Sequence, residues 1–358
     1  MSNFEIQSAG RNYAVTIASG AFERIVAADE EQLYIVDAFF RDRAAEFGTN
    51  PIFIEATEQN KTLDQMTDVI CRLREAGVSR RTKLIAVGGG VIQDIAAFAA
   101  SVYMRGIEWS YVPTTLLAMA DSCIGGKSSI NVGTYKNIVG TFFPPVEVVI
   151  DTDFTRTLES DQIVEGLCEA VKICFVRGSD AFNAYLDFEP STGVERDVLT
   201  NVVAHALAQK AWFIEIDEFD RAERLLLNFG HTFGHAIEAA SHFRIAHGIA
   251  VGLGMLTALA MGTAMGRTYP SGVGVAALEA HIRALLASLE SLNAVIAALD
   301  VDELMEAFKA DKKHTRQEFA VILVAENGAV ERVMLPRDDE SYRIIMAAFA
   351  GLIKDWSI

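Results

Sequence analysis

The chain has 358 residues, of which 51% are hydrophobic and 22% are charged, and its formal net charge is −17. This length and apolar content predict two globular domains, each with a buried core. The negative charge argues against nucleic acid or an anionic membrane as a partner, because such surfaces bind an excess of basic groups.

The first eight residues read MSNFEIQS and contain no basic segment followed by an apolar one. We therefore expect no secretory signal and a cytoplasmic protein. The four cysteines have no C-x-x-C spacing and lie in apolar stretches, at Cys71, Cys123, Cys168 and Cys174. This pattern is typical of reduced structural thiols and not of disulfides or zinc ligands.

The first half alternates short β-rich runs with helical patterns. The predicted strands are residues 13–17, 33–37, 51–55, 83–87, 109–112 and 146–151, and the predicted helices are residues 61–76 and 91–102. This alternation indicates an α/β nucleotide-binding domain over residues 1–152, with a mainly parallel sheet covered on both faces. Such sheets bind nucleotides at the carboxyl ends of their strands.

Long helical patterns fill the second half, at residues 161–176, 197–216, 231–241 and 249–265. They predict an all-α domain over residues 153–358, with the functional site in the cleft between the domains. A hairpin is predicted at residues 319–325 and 330–335, around Glu-Asn-Gly-Ala. The uncharged run 248–266 is long enough to span a membrane, but it stands alone and is rich in Gly and Ala, so we expect a buried core helix.

A triple glycine, Gly88, Gly89 and Gly90, follows an apolar strand and precedes a helix that carries Asp94. Glycine lets backbone N–H groups approach a pyrophosphate, and the amino end of a helix favours negative charge. The alternative is a tight strand-to-helix turn, because the pattern is not G-x-G-x-x-G. Thr114 and Thr115 follow the next strand and offer hydroxyls to the same ligand.

Residues 121–137 form a polar segment with Lys127, Lys136 and Asn137. Two ammonium groups and an amide suit a phosphorylated substrate, and the alternative is an ordinary surface loop. Glu169 and Lys172 lie three residues apart on a predicted helix, where a simple intrahelical ion pair is the alternative to a functional role.

Four of the seven histidines lie close together, at positions 231, 235, 242 and 247. His231 and His235 are one helical turn apart, so both rings project from one face, and His247 can return from a following turn. A single histidine on an apolar helix is more often a core residue. The cluster favours a metal site.

The ordered set of motifs resembles one known family. GGGVIQD, YMRG, VPTTLLA, DSCIGGK, GLCEAVK, RLLLNFGHTFGHAIE, AHG and DKK run from about residue 58 to residue 313. Together they resemble the sugar phosphate cyclase family, and within it the 3-dehydroquinate synthases most. The resemblance implies an NAD-binding α/β domain, a helical domain, a divalent metal (usually Zn²⁺, otherwise an ion such as Co²⁺) and a homodimer.

The resemblance also implies roles for particular residues. The metal ligands would be Glu169, His231 and His247. The dinucleotide would be held by Asp37, Glu58, Lys61, Gly88, Gly89, Gly90, Asp94, Thr114, Thr115 and Lys136. The phosphate would meet Asn137, Lys172, Asn228 and His235, with Arg105 from a second subunit and either Lys312 or Lys313. Asp121, Lys127 and Lys210 would contact ring hydroxyls, and Arg224 a substrate carboxylate.

The implied reaction is transient oxidation by NAD, β-elimination of phosphate, reduction by the same cofactor and an intramolecular aldol closure. Arg224 and Asn228 favour 3-deoxy-D-arabino-heptulosonate 7-phosphate as substrate and 3-dehydroquinate as product, a step of the shikimate pathway to aromatic amino acids. Three departures, at Gln93, Ile249 and NVGTYKN, keep open a secondary-pathway cyclase acting on another sugar phosphate, such as sedoheptulose 7-phosphate. A metal-dependent alcohol or glycerol dehydrogenase and a silent NAD-binding protein are further alternatives.

Overall fold

The computed structural model describes residues 2–26, 31–133 and 135–356. Its contacts divide the chain into two compact units, Met1–Leu158 with Glu195–Phe219, and Glu159–Val194 with Asp220–Ile358. The helix Arg196–Ile216 therefore belongs to the first unit, where it packs against the first two strands, whereas the sequence pattern assigned it to the helical domain. Hydrophobic periodicity identifies a helix, but it does not show which core the helix covers.

The first unit contains nine described strands. They are β1 Ser2–Ile6, β2 Tyr13–Ala18, β3 Gln32–Asp37, β4 Ile52–Ile54, β5 Lys83–Gly88, β6 Trp109–Pro113, β7 Ile130–Val132, β8 Tyr135–Val139 and β9 Glu147–Asp151. Seven of them form one sheet in the order β1-β2-β9-β6-β5-β3-β4, and every pair is parallel except β1 with β2. The central strands are buried on both faces, as their unbroken apolar runs predict.

The helices of both units are numbered along the chain. They are α1 Phe22–Val26, α2 Leu63–Glu75, α3 Gly90–Val102, α4 Ser160–Arg177, α5 Ser179–Leu186, α6 Arg196–Ile216, α7 His231–Ala240, α8 His247–Ala264, α9 Val275–Ala287, α10 Leu292–Ala297, α11 Val301–Lys309 and α12 Asp339–Trp356. The strands and helices predicted from the sequence are all present, with ends within two residues. The predicted fold class is confirmed, although no sequence pattern identified β1, β7, β8, α1, α5 or α9–α12.

The direction of the chain reverses within the large sheet. From β3 the chain moves outward to β4, then returns to the other side of β3 as β5 and continues to β6 and β9. Open α/β sheets bind ligands beyond the carboxyl ends of the strands at such a switch point. Asp37 ends β3 and Gly88 ends β5, so both lie at this edge.

The second unit is helical apart from one antiparallel hairpin, β10 Glu318–Val324 with β11 Val330–Pro336. This hairpin corrects the description of the domain as all-α and confirms the separate prediction of two strands. Helix α8 is long and apolar enough to cross a membrane by length and composition, but 78% of it is buried inside the protein. Such burial is what we expect for a core helix.

Glycines let α8 approach its neighbours with backbone against backbone. A Cβ on Gly248 would lie 2.4 Å from the carbonyl oxygen of Glu165 in α4. A Cβ on Gly254 would lie 2.0 Å from the carbonyl oxygen of Gly230, the residue before α7. Because neither space admits a methyl group, the spacing of α4, α7 and α8 depends on these glycines.

We expect Gly254→Ala to destabilise the chain by about 1–3 kcal/mol or more, because the added methyl group meets backbone atoms that cannot rotate away. Urea unfolding measures the effect. The matched control is Gly351→Ala in α12, where a Cβ meets nothing within 4 Å. That variant should be unchanged or more stable by about 0.5–1 kcal/mol. Equal stability of the two variants would contradict the packing argument.

Candidate functional site

Three helices of the second unit bring one acid and two histidines together. Glu169 lies in α4, His231 begins α7 and His247 begins α8. Oε1 of Glu169 is 3.6 Å from Nε2 of His231 and 3.6 Å from Nε2 of His247. A tetrahedral ion with bonds of about 2.0–2.2 Å holds its ligand atoms roughly 3.3–3.6 Å apart. The group therefore has the donor types and the spacing of a three-ligand metal site.

The ring of His247 is oriented by a second carboxylate. Nδ1 of His247 lies 3.1 Å from Oε2 of Glu238, which leaves Nε2 directed at Glu169. Burial alone would lower the pKa of His247, but the hydrogen bond to Glu238 and the charge of Glu169 raise it overall. The sequence analysis missed Glu238. The sequence feature that could have identified Glu238 is its spacing: it lies seven residues after His231, two turns along the same helix face.

Lys172 pairs with Glu169 inside α4, and both side chains are buried. The ammonium group binds Oε2 of Glu169, so Oε1 is the oxygen that faces the two histidines. Burial, followed by the positive charge of Lys172, lowers the pKa of His231 well below its usual range. A neutral imidazole is the form that coordinates a metal. The intrahelical ion pair that the sequence left open as an alternative is thus present, and it orients the acid.

His235 lies beside this group and contacts a different acid. Its ring centroid is 5.6 Å from that of His231 and 5.8 Å from that of His247. Its Nδ1 is 3.3 Å from Oδ2 of Asp311, which is 3.1 Å from Nζ of Lys313. Lys313 is therefore the lysine of the Asp-Lys-Lys motif next to His235, whereas Lys312 is exposed.

Two further predicted residues lie just before α7, in the 3₁₀ helix Glu223–Asn228. Arg224 is buried, and the amide of Asn228 donates a hydrogen bond to the carbonyl of Leu225 at 2.9 Å. His242 follows α7 in a left-handed turn with φ of 52° and is not part of the metal group. Of the four clustered histidines, His231 and His247 are therefore candidate ligands. His235 lies beside them, and His242 lies outside the group.

In the first unit, the triple glycine forms the turn between β5 and α3. A Cβ on Gly88 would lie 2.5 Å from Cγ1 of Ile92, and a Cβ on Gly89 would lie 3.0 Å from Cγ2 of Thr115. The N–H of Thr114 donates to the carbonyl of Gly88 at 3.0 Å. The turn after β5 and the turn after β6 therefore lie next to each other, at the carboxyl ends of these strands. The amino end of α3 favours an anion there.

Lys61 is buried at the centre of a polar network near this turn. Its Nζ lies 3.0 Å from Asp94, 3.3 Å from Glu58 and 2.9 Å from Oδ1 of Asn137. Asn131 of the β7–β8 hairpin donates to Glu58 at 2.8 Å. Asn137, expected at the phosphate, thus lies among residues expected at the dinucleotide. Burial raises the pKa of Asp94 to about 6, although Lys61 opposes the shift.

Asp37 ends β3, the strand next to β5. Its side chain accepts a hydrogen bond from the N–H of Phe39 at 3.0 Å. Burial is the main reason that its pKa is raised. A carboxylate beside a phosphate-binding turn is the arrangement that receives ribose hydroxyls in dinucleotide folds.

The other residues expected at the substrate lie in three places of the first unit. Lys210 of α6 forms an ion pair with Asp121 and also donates to its carbonyl oxygen at 2.6 Å. Lys127 lies over the ring of Phe142, and Lys136 is exposed on β8. Arg105 is exposed and has φ of 68°, beside Met104 with φ of 50°, in a strained segment.

Comparison with known proteins agrees with this arrangement. Residues 51–165 match the family described as 3-dehydroquinate synthase N-terminal, and residues 166–314 match 3-dehydroquinate synthase C-terminal. The 3-dehydroquinate synthase of Alkaliphilus metalliredigens is 35% identical over 291 residues, which cover 80% of each chain. The chain belongs to the 3-dehydroquinate synthase family.

Solved structures share the fold of this 3-dehydroquinate synthase family member. 2-Deoxy-scyllo-inosose synthase, complexed with carbaglucose-6-phosphate, NAD⁺ and Co²⁺, aligns with a TM-score of 0.86, 24% identity and coverage of 98% and 99% of the two chains. 2-Epi-5-epi-valiolone synthase from Streptomyces hygroscopicus, with NAD⁺ and Zn²⁺ bound, aligns with a TM-score of 0.78, 24% identity and coverage of 96% and 97%.

Two departures from the family pattern are accommodated by local contacts. Gln93 is buried, and its amide exchanges two hydrogen bonds of 2.8 Å with the side chain and carbonyl of Ser122. Ile249 is buried within α8, and the neighbouring N–H of Gly248 donates to Glu165 of α4 at 3.4 Å. The polar atoms of the Gln93 side chain are therefore hydrogen-bonded, and Ile249 places no side-chain polar atom in the interior.

The raised pKa of Asp94 predicts a pH dependence of stability. Its folded-state pKa of about 6 lies above the ordinary value of 3.8, so the folded chain binds this proton more tightly than the unfolded chain. This contribution is complete below the unfolded value and is lost as pH rises through about 6. Relative to Asp94→Asn, the wild-type free energy of unfolding should therefore fall across that interval. Urea titrations at several pH values measure it, and parallel curves would contradict the assignment.

Proposed function

We propose that the chain is a 3-dehydroquinate synthase that converts 3-deoxy-D-arabino-heptulosonate 7-phosphate to 3-dehydroquinate and phosphate. The main support is the convergence of Glu169, His231 and His247 in a chain 35% identical to a 3-dehydroquinate synthase. NAD and a divalent ion, Zn²⁺ or Co²⁺, are the proposed cofactors. We further propose a cytoplasmic homodimer of the shikimate pathway.

The proposed metal ligands are Glu169, His231 and His247. One carboxylate oxygen and two imidazole nitrogens suit Zn²⁺ or Co²⁺, and three protein ligands leave positions for substrate oxygens. The ion would polarise a substrate hydroxyl when bound. Glu238 holds the ring of His247 in place, and Lys172 directs Oε1 of Glu169 toward the histidines. These contacts reduce the rearrangement needed to load the site.

The first unit supplies the proposed dinucleotide site. The N–H groups at Gly88–Gly90 would bind the pyrophosphate, and Asp37 would accept ribose hydroxyls. The remaining contacts are assigned to Glu58, Lys61, Asp94, Thr114, Thr115 and Lys136. NAD would provide a hydride acceptor that is regenerated within the same turnover.

Cations are assigned to the two acidic ends of the substrate. Arg224 would bind the carboxylate, and a bidentate guanidinium contact contributes roughly 1.5–3 kcal/mol per hydrogen bond. Lys172, Asn228, His235 and Lys313 would bind the phosphate, together with Asn137 and with Arg105 of the partner subunit. Asp121, Lys127 and Lys210 would contact ring hydroxyls.

The reaction requires four chemical changes of one bound molecule. A carbinol is oxidised transiently, which acidifies the neighbouring C–H, and phosphate leaves by β-elimination. The carbonyl is then reduced again, and the ring opens and closes by an aldol step. Fixed cations at the leaving phosphate stabilise its developing charge, because oriented groups need no rearrangement as the bond breaks.

We expect the purified protein with NAD and Zn²⁺ to release inorganic phosphate from the heptulosonate phosphate without lasting NADH absorbance. A phosphate assay with three sugar phosphates compares this substrate with sedoheptulose 7-phosphate and glucose 6-phosphate, which lack the carboxylate. Consumption of sedoheptulose 7-phosphate alone would indicate a secondary-pathway cyclase and would overturn the role of Arg224. Stoichiometric accumulation of NADH would instead indicate a dehydrogenase.

We expect His247→Ala to lose bound metal and to lower phosphate release at least about 100-fold, because two ligands remain of three. Metal content is measured by elemental analysis and folding by circular dichroism. The control is His242→Asn, which lies outside the metal group and keeps a residue tolerant of positive φ. A His247→Ala protein with full metal content would exclude the proposed ligand set.

A further inference from the structure

Asp311 is a buried acid to which the proposed function gives no role. It lies in the turn after α11, and only 3% of its side chain is exposed. Its Oδ2 lies 3.3 Å from Nδ1 of His235 and 3.1 Å from Nζ of Lys313, and its Oδ1 accepts the backbone N–H of Lys313 at 2.9 Å. One carboxylate thus binds an imidazole nitrogen from α7 and an ammonium group from its own turn.

The ionisation state of Asp311 determines whether Nδ1 of His235 carries a hydrogen. Burial would raise the pKa of Asp311, but the hydrogen bond with His235 and the charge of Lys313 lower it below its usual range. An ionised carboxylate only accepts hydrogen bonds, so Nδ1 of His235 carries the hydrogen between them. In a neutral imidazole, Nε2 then has a free lone pair.

The exposure of the imidazole shows which nitrogen a ligand can reach. The side chain of His235 is 41% exposed, whereas the acid on its Nδ1 side is almost completely buried. Because Nδ1 faces the buried acid, Nε2 is the ring nitrogen that remains for a ligand, in a ring whose centroid lies 5.6 Å from that of His231 and 5.8 Å from that of His247. Lys313 binds the same carboxylate oxygen and is 20% exposed, so its ammonium group lies near the imidazole.

We infer that Asp311 is a positioning residue that holds His235 as a hydrogen-bond acceptor at Nε2 and Lys313 as an adjacent donor. This inference rests on the proposed function, in which both side chains meet a phosphate monoester. An acceptor beside an ammonium group suits an anionic phosphate together with a hydroxyl, either of the substrate or of the phosphate itself.

The tautomer of His235 is measured directly by long-range ¹H–¹⁵N NMR on histidine-labelled protein with metal and NAD bound. The His235→Gln spectrum identifies the signals of this ring. We expect the hydrogen on Nδ1 in the wild type. A wild-type His235 with its hydrogen on Nε2 overturns the inference. The tautomer is read from the wild-type spectrum without substrate, and the variant serves only to assign the signals.

Asp311→Asn tests the consequence for turnover. The amide can donate its own hydrogen to Nδ1, which moves the ring hydrogen to Nε2 and should lower kcat at least about 100-fold. Metal content should stay at the wild-type level, because the three ligands are untouched. Asp302→Asn, an exposed acid in α11, should keep the wild-type kcat. Wild-type kcat in Asp311→Asn overturns the inference.

Lys313→Met separates the role of Lys313 from that of His235. The His235 tautomer should persist, whereas KM should rise at least about tenfold as one charged hydrogen bond to phosphate is lost. A changed tautomer would contradict the assignment of Asp311 alone as the orienting group. If no sugar phosphate is turned over by the wild type, the proposed function fails while the NMR result still decides the tautomer.

Discussion

The close contact of α8 with α4 and α7 determines the geometry of the second unit. Each of these helices contributes one residue to the metal group, and glycines at the two crossings remove the side chains that would separate the helices. Packing at protein density is sensitive to a single methyl group. The positions of Glu169, His231 and His247 therefore depend on residues that carry no functional group. The long uncharged run of the sequence, which resembles a membrane span, is explained by this packing.

Sequence periodicity predicted the positions of helices and strands better than it predicted what those elements pack against. Strands of the parallel sheet are buried on both faces and read as apolar runs, so their positions were clear from the sequence. Helix α6 was predicted within one residue, yet its place in the first unit was missed because its apolar face specifies no particular core. The β7–β8 hairpin was missed because its strands are short, and Asn131 and Asn137 within them bind the network around Lys61.

The residues of the candidate site also differ in how well the sequence predicted them. Motif residues led to the candidate metal ligands Glu169, His231 and His247, which the folded chain brings together, because metal coordination requires particular side chains at particular places. Residues that orient those side chains were missed or left ambiguous. Glu238 and Asp311 are ordinary acids in the sequence, and only the folded chain shows that each binds a histidine nitrogen. The sequence likewise offered no reason to distinguish Lys312 from Lys313, whereas in the folded chain Lys313 contacts Asp311 and Lys312 is exposed.

Buried ion pairs explain how a chain with net charge −17 can be suited to an anionic ligand. Four lysines assigned to ligand contacts each bind a carboxylate, in the pairs Lys61–Asp94, Lys172–Glu169, Lys210–Asp121 and Lys313–Asp311. A buried ammonium group without a partner would cost several kcal/mol, roughly, so the pairing permits these cations to be held away from water. The same carboxylates fix the direction of each ammonium group before a ligand arrives. At Lys172 and Lys313, the proposed phosphate would then meet oriented donors, which is the condition under which electrostatic stabilisation is most effective.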